Sequence, residues 1–183
     1  MSFTRISTPR YPVSIHDMKD YLRLDSDIDD YEIEMIIQSV VDDCQFYTRR
    51  SLITQTYEAT FNSFDLSRLR YGPIQSIESI VYTDSQGVEG TVDPSSYYLH
   101  DKHMSGAISL YDGHAWPTVN LRDHDAIIVT YEAGYGDNPS DVPSTLIHSI
   151  RLLVAHYYEH RELDTVIPEE VSRLWTKFKV VTL

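Results

Sequence analysis

His156-Tyr157-Tyr158-Glu159-His160 sets two imidazoles four residues apart with a glutamate between them, the H-x-x-E-H spacing of an inverted zinc-peptidase site. Residues i and i+4 share a helix face, so both rings could converge on one ion. A catalytic zinc also needs a third protein ligand and an open coordination position. The acidic residues that could supply the third ligand, Glu162, Asp164, Glu169 and Glu170, lie on or just beyond the same helix. Five residues with two free positions recur by chance, so a polar helix face ending in Glu159 and Arg161 is the simpler reading. No metal and no cofactor is expected.

Asp25-Ser26-Asp27-Ile28-Asp29 copies the first three ligands of a calcium loop. That loop requires glycine at its sixth position and glutamate at its twelfth, where this chain has Asp30 and Ile36. Carboxylates ahead of a helix are explained by the positive end of its dipole. His100, His103, His114 and His124 fall in expected loops of a β-rich block, with no nucleophile elbow and no glycine-rich phosphate loop around them. Cys44 is the single cysteine, so no intrachain disulfide can form; it falls on the apolar side of an expected helix, as a small buried hydrophobe would. No catalytic constellation emerges.

The elements that position these residues form a bracket. Two amphipathic helices are expected at about 29–50 and 142–162, enclosing a β-rich stretch. In the first helix Ile33, Ile36, Ile37, Val40, Cys44 and Tyr47 recur at spacings of three and four. In the second, Leu146, Ile150, Leu153, Val154 and Tyr157 do the same, with Pro143 at the first turn. Ser14 and Asp17 make a capping-box pattern for a short helix presenting Met18, Tyr21 and Leu22 to a core. Pro168-Glu169-Glu170 opens a last short helix carrying Val171, Leu174, Trp175 and Phe178. Between the brackets the period falls to two: Gln55, Tyr57, Ala59 and Phe61 alternate with polar residues. Further strands are expected at 77–83, 97–100, 107–111 and 126–131, with a glycine turn at Gly87. The fold class is α+β, with about four helices and an antiparallel β block inserted between the second and third. The domain plan is an extended arm at 1–12, a helical core at 13–53 and 140–170, a β insertion at 54–135 and a tail segment at 171–183.

Composition narrows the function classes. The 183 residues carry 15 basic and 28 acidic side chains, a formal charge of −13, so no basic stripe is available for a free-standing nucleic-acid binder. An acidic surface does suit a protein past which DNA must slide without sticking. No apolar run approaches the roughly 18 residues of a membrane span. Met1-Ser2-Phe3-Thr4-Arg5 lacks the apolar stretch of a secretory signal, and a reducing cytoplasm is the expected place of synthesis. Fourteen tyrosines fit half-buried strands and contact surfaces, since each ring is apolar with a polar tip.

The joins of the bracket resemble a known family. Ser14-Ile15-His16-Asp17-Met18-Lys19-Asp20-Tyr21-Leu22-Arg23-Leu24 with the acidic run after it, Tyr47-Thr48-Arg49-Arg50-Ser51-Leu52-Ile53-Thr54-Gln55-Thr56-Tyr57, and Tyr71-Gly72-Pro73-Ile74 with residues 77–82 and Gly87 are three parts of the resemblance. The fourth is Val129-Thr130-Tyr131-Glu132-Ala133-Gly134-Tyr135, then Val142-Pro143 and Tyr157-Tyr158-Glu159-His160-Arg161-Glu162. In this order and spacing they are similar to the phage head–tail connector (adaptor) proteins, which form a ring beneath the portal of long-tailed phages.

The resemblance implies a virion neck protein without enzymatic activity, made in the host cytoplasm and assembled as a homo-oligomeric ring of twelve subunits. One face would dock on the portal and the other on a tail-side neck, stopper or terminator protein. Genome DNA would pass through the lumen without sequence-specific binding. It also implies a portal contact through the carboxy-terminal segment, for which Trp175, Phe178, Val180, Val181 and Leu183 are the candidates. Deleting residues 171–183 is then expected to abolish tail attachment while the subunit still folds; the alternative is that this last helix packs on the protein's own core. Residues 14–50 carry 4 basic and 10 acidic residues, and Asp25, Asp27, Asp29, Glu32 and Glu34 are the candidates for lining the DNA channel. Two alternatives stand beside this reading: a small zinc-dependent hydrolase built on His156 and His160, and another neck ring component such as a stopper or tail-completion protein.

Overall fold

The computed structural model describes residues 1–100, 106–160 and 167–180. The fold is α+β: among the described residues there are four α-helices, a five-stranded antiparallel sheet and a two-stranded one, with the main β block between the second and third helices. The described residues divide into two compact units, Met1–Pro9 with Thr54–Gly134, and Arg10–Ile53 with those of 135–180.

The first unit is the sheet. Its strands are β1 (Ser2–Arg5), β2 (Gln55–Phe61), β3 (Ile74–Thr83), β4 (Glu89–Thr91), β5 (Tyr97–His100), β6 (Ala107–Leu110) and β7 (Ile127–Ala133). The large sheet runs β1-β2-β7-β3-β4, and β5 pairs with β6 separately. Alternation places Gln55, Tyr57, Ala59 and Phe61 of β2 on the buried face, opposite Ile127, Val129, Tyr131 and Ala133 of β7. Tyr57 pairs directly with Tyr131, their rings 5.7 Å apart, and Tyr71 stacks on the other side of Tyr57 at 4.9 Å. The Tyr131 hydroxyl donates to the Arg70 carbonyl at 3.0 Å, which satisfies its polar tip inside the core.

Two strands were not anticipated. The expected amino-terminal arm is extended but paired, Phe3 of β1 lying opposite Ala59 of β2. Short β4 carries Glu89-Gly90-Thr91, which offers no apolar alternation to read. It is set by the turn before it, where the Asp84 carboxylate accepts from the amides of Gln86 (2.8 Å) and Val88 (2.9 Å) and Gly87 takes φ +83°.

The second unit is a helical bundle of α1 (Ile15–Leu22), α2 (Asp30–Thr48), α3 (Ser144–His160) and α4 (Glu169–Thr176). Ser14 caps α1 in a full capping box with Asp17, and Arg23 in the left-handed region ends it. Met18 is buried, yet Tyr21, expected beside it, is 41% exposed. Ile15, Met18 and Leu22 define the inward face, and 3.6 residues per turn places position 21 roughly 90° away from it. The core joins Ile33, Ile37, Val40, Val41 and Cys44 of α2 to Leu146, Ile150, Leu153 and Val154 of α3, with Val171 and Trp175 of α4.

Candidate functional site

The histidine pair is real as a pair. The His156 and His160 rings lie 4.5 Å apart on the last turn of α3, and His160 Nδ1 is 3.0 Å from the His156 carbonyl oxygen, so an N–H there closes onto the helix backbone. Among the described residues no group of three His, Cys, Asp or Glu side chains is placed to hold a metal. Two imidazoles alone do not make a zinc site. Glu162 and Asp164 lie outside the described residues, while Glu169 and Glu170 sit in the first turn of α4.

The calcium-like run is occupied by a lysine. Lys19 Nζ contacts Asp27 Oδ1 and lies 2.9 Å from Asp30 Oδ1, so an ammonium takes the place a divalent ion would need. The Lys19 contact holds the Asp27 carboxyl below its ordinary range. Of the scattered histidines, His100 Nε2 meets the Ser109 hydroxyl at 3.0 Å across β5 and β6. His114 and His124 are exposed, and His103 lies outside the described residues. Cys44 is fully buried, and burial pushes its thiol far above the usual range, with Asp43 adding to the shift. It is a core residue.

The apolar carboxy-terminal candidates separate. Trp175 is fully buried, its indole N–H donating to the Ser149 hydroxyl at 2.8 Å. Val180 is buried and its amide donates to the Thr48 carbonyl at 3.0 Å, which stitches the end of the chain to the end of α2. Phe178 is half-buried, and its carbonyl accepts from Arg50 Nε at 2.6 Å. Val181 and Leu183 lie outside the described residues. The expectation that a chain lacking 171–183 still folds is therefore corrected: that deletion takes Val171, Trp175 and Val180 out of the core of the helical unit.

The acidic candidates separate too. Asp25 and Asp27 are exposed in the connection between α1 and α2. Asp29, at the start of α2, accepts from the Tyr158 hydroxyl at 2.7 Å and so ties α2 to α3. Glu32 and Glu34 are exposed on α2. Between and beyond them runs a feature the sequence reading missed. Ile28 is 89% exposed, Tyr31 77%, Met35 49% and Phe46 82%. On α2, Tyr31, Met35, Asp42 and Phe46 fall within roughly 60° of arc, on the side away from Ile37 and Cys44. The helix thus carries outward apolar side chains at both ends of one face, Tyr31 and Met35 at its start and Phe46 near its end, with Asp42 between them and Glu32, Glu34 and Asp43 at the margins. The Asp43 carboxyl is pushed up by burial and by its neighbour Asp42.

On α4, an open cleft of about 570 Å³ has Glu170, Arg173, Leu174, Thr176 and Lys177 as its described lining. Lys179 follows, its ammonium 4.9 Å from the centre of the Tyr47 ring. No helix among the described residues is long and apolar enough to cross a membrane.

No family model matches this sequence, and no curated protein matches it. Solved structures do share its fold along the whole chain. A chain of the neck of an empty GTA particle, computed with C6 symmetry, is 19% identical with a TM-score of 0.81, covering 100% of this chain and 97% of that one. A chain of the virion of a native gene transfer agent (GTA) particle is 19% identical with a TM-score of 0.80 over the same shares. A chain of the neck of the native GTA particle, computed with C12 symmetry, is 20% identical with a TM-score of 0.81, again over 100% and 97%.

Proposed function

We propose that this chain is a non-catalytic structural protein of the neck of a tailed-phage-like particle, acting as the head–tail adaptor. The observation that carries the reading is the full-length likeness in fold to chains of particle necks, at a TM-score of 0.81 with both chains covered almost entirely. The bracket of helices around an antiparallel block supports it, and the exposed Tyr31, Met35 and Phe46 of α2 offer apolar side chains to a partner.

In this reading the subunits close into a homo-oligomeric ring of twelve, docked on the portal at one face and on a tail-side neck protein at the other, with DNA passing along the axis. The neck computed with C12 symmetry supports that number. A net charge of −13 suits an assembly that must not hold DNA phosphates. Asp25 is the proposed lumen-facing carboxylate, because Asp27 is paired with Lys19, Asp29 is engaged by Tyr158, and Glu32 and Glu34 flank exposed apolar side chains. The portal contact is proposed at the carboxy-terminal end, where Phe178 keeps part of its ring exposed. Rotational averaging of negatively stained purified chain, at rising concentration and with added portal protein, tests the ring. Closed cyclic particles are expected, and a chain that stays monomeric with and without portal would overturn it.

A further inference from the structure

We propose that the ring contact is head-to-tail within the helical unit: the outward stripe at the start of α2 of one copy seats on the basic cleft of α4 of the next. This rests on the ring reading above and names the surfaces that build it. The occupant is a second copy of this chain, and charge complementarity within the chain itself is the argument.

The donor surface is apolar with an acidic rim. Ile28, Tyr31 and Met35 are 89%, 77% and 49% exposed, and the exposed carboxylates of Glu32 and Glu34 border them. The acceptor surface has the opposite sign. Arg173 of α4 and Lys177, the residue that caps the end of α4, line the cleft beside Leu174, with Lys179 following. Only Glu170 among the described lining residues is acidic. Apolar side chains in a cleft, ringed by opposed charges, give a contact with both area and register.

The two surfaces lie at opposite ends of one rigid element. α4 is fixed at the carboxy-terminal end of α2, where the Tyr47 and Thr176 hydroxyls meet at 2.9 Å and Val180 binds Thr48. About 26 Å of α2 separates that end, at Thr48, from Tyr31. A protein bearing complementary but different surfaces at its two ends makes heterologous contacts, which propagate beyond a dimer and close into a ring when the rotation between neighbours divides the circle. Phe46, 82% exposed, sits on the same stripe at the acceptor end and would extend the seat.

The test is cysteine cross-linking of the full-length chain with a short bis-maleimide. Cys44 is fully buried, so the native thiol supplies no background. The Met35→Cys/Leu174→Cys variant is expected to give a ladder of oligomers. Each single variant alone is expected to give none, and a mixture of the two singles only dimers. Reversing one rim (Glu32→Lys with Glu34→Lys) in the double-cysteine background is expected to lower the ladder about tenfold, and adding Arg173→Glu with Lys177→Glu to restore it. Circular dichroism identical to wild type confirms that these surface changes leave the fold intact. Rings that form without a Met35–Leu174 cross-link would overturn the contact and leave the ring standing. A Met35→Cys dimer from the single variant would replace it with an isologous pairing. Absence of both cross-links and rings would overturn the two readings together.

Discussion

The indole N–H of Trp175 on α4 donates to the hydroxyl of Ser149 on α3 at 2.8 Å, and the hydroxyl donates in turn to the Leu146 carbonyl at 2.7 Å. Trp175 and Ser149 are fully buried, so this relay places a polar seam within an apolar contact between two helices. Ser149→Ala leaves the indole N–H without its acceptor and is expected to cost about 1–3 kcal/mol. Trp175→Ala is expected to cost about 3–5 kcal/mol through the cavity it opens. Urea unfolding curves measure both, and a neutral Ser149→Ala would show that the seam does not hold α4 in place.

Tyr131 plays the matching part in the sheet. Its hydroxyl is held by the Arg70 carbonyl, and burial raises the phenol far above its usual range. The neutral form is thus favoured in the folded state. The resulting stability is present below the unfolded-state pKa of about 10 and is lost as pH rises past it, because only the unfolded chain ionises. Tyr131→Phe is expected to cost about 1 kcal/mol at neutral pH and to flatten the fall in stability above pH ~10. An unchanged alkaline profile would contradict this.

The capping box of α1 sets an acid-side prediction. The Ser14 hydroxyl and amide both donate to the Asp17 carboxylate, at 2.7 and 3.1 Å, and hold its pKa below the ordinary value; Arg151 adds to the effect. A depressed folded-state pKa means stability present above the unfolded value and lost as pH falls through the folded one. Ser14→Ala is expected to cost about 1 kcal/mol at pH 7. The gap between variant and wild type should narrow once the pH drops well below about 3.9, leaving the share owed to the Asp17 amide's bond to the Ser14 hydroxyl. A gap of unchanged size in acid would mean that the carboxylate contributes nothing to the cap.

Asp29 separates a structural from a channel role. Its bond from the Tyr158 hydroxyl joins the start of α2 to the end of α3. Tyr158→Phe is expected to destabilise by about 1.5 kcal/mol, the lower range for a hydrogen bond to a charged group. Asp25→Asn, on an exposed side chain, is expected to leave the unfolding midpoint unchanged. Equal effects of the two would remove the distinction between them.

The helical bracket was legible because its apolar residues recur at helical spacing on one face, and the alternation at 55–61 is the whole signal of a half-buried strand. Ser14 and Asp17 carried their own cap. Other features were hidden for physical reasons. Trp175 read equally as a portal anchor or a core residue because its partner, Ser149, is 26 residues away on another helix, a contact that no local pattern encodes. The Tyr31–Met35–Phe46 stripe was masked by acidic neighbours and by the stronger inward stripe of the same helix. A second apolar period at 31, 35 and 46, opposite the first, was the available signal. β1 and β4 owe their strand pairing to β2 and β3, not to their own sequences.

Electron cryomicroscopy of the neck of the particle that carries this chain tests the central claim most directly. The account predicts a cyclic ring of this chain around the axial DNA, between portal and tail-side protein, with the start of α2 of each copy against α4 of the next. A neck density without this chain, or one in which its copies do not touch around the axis, would contradict it.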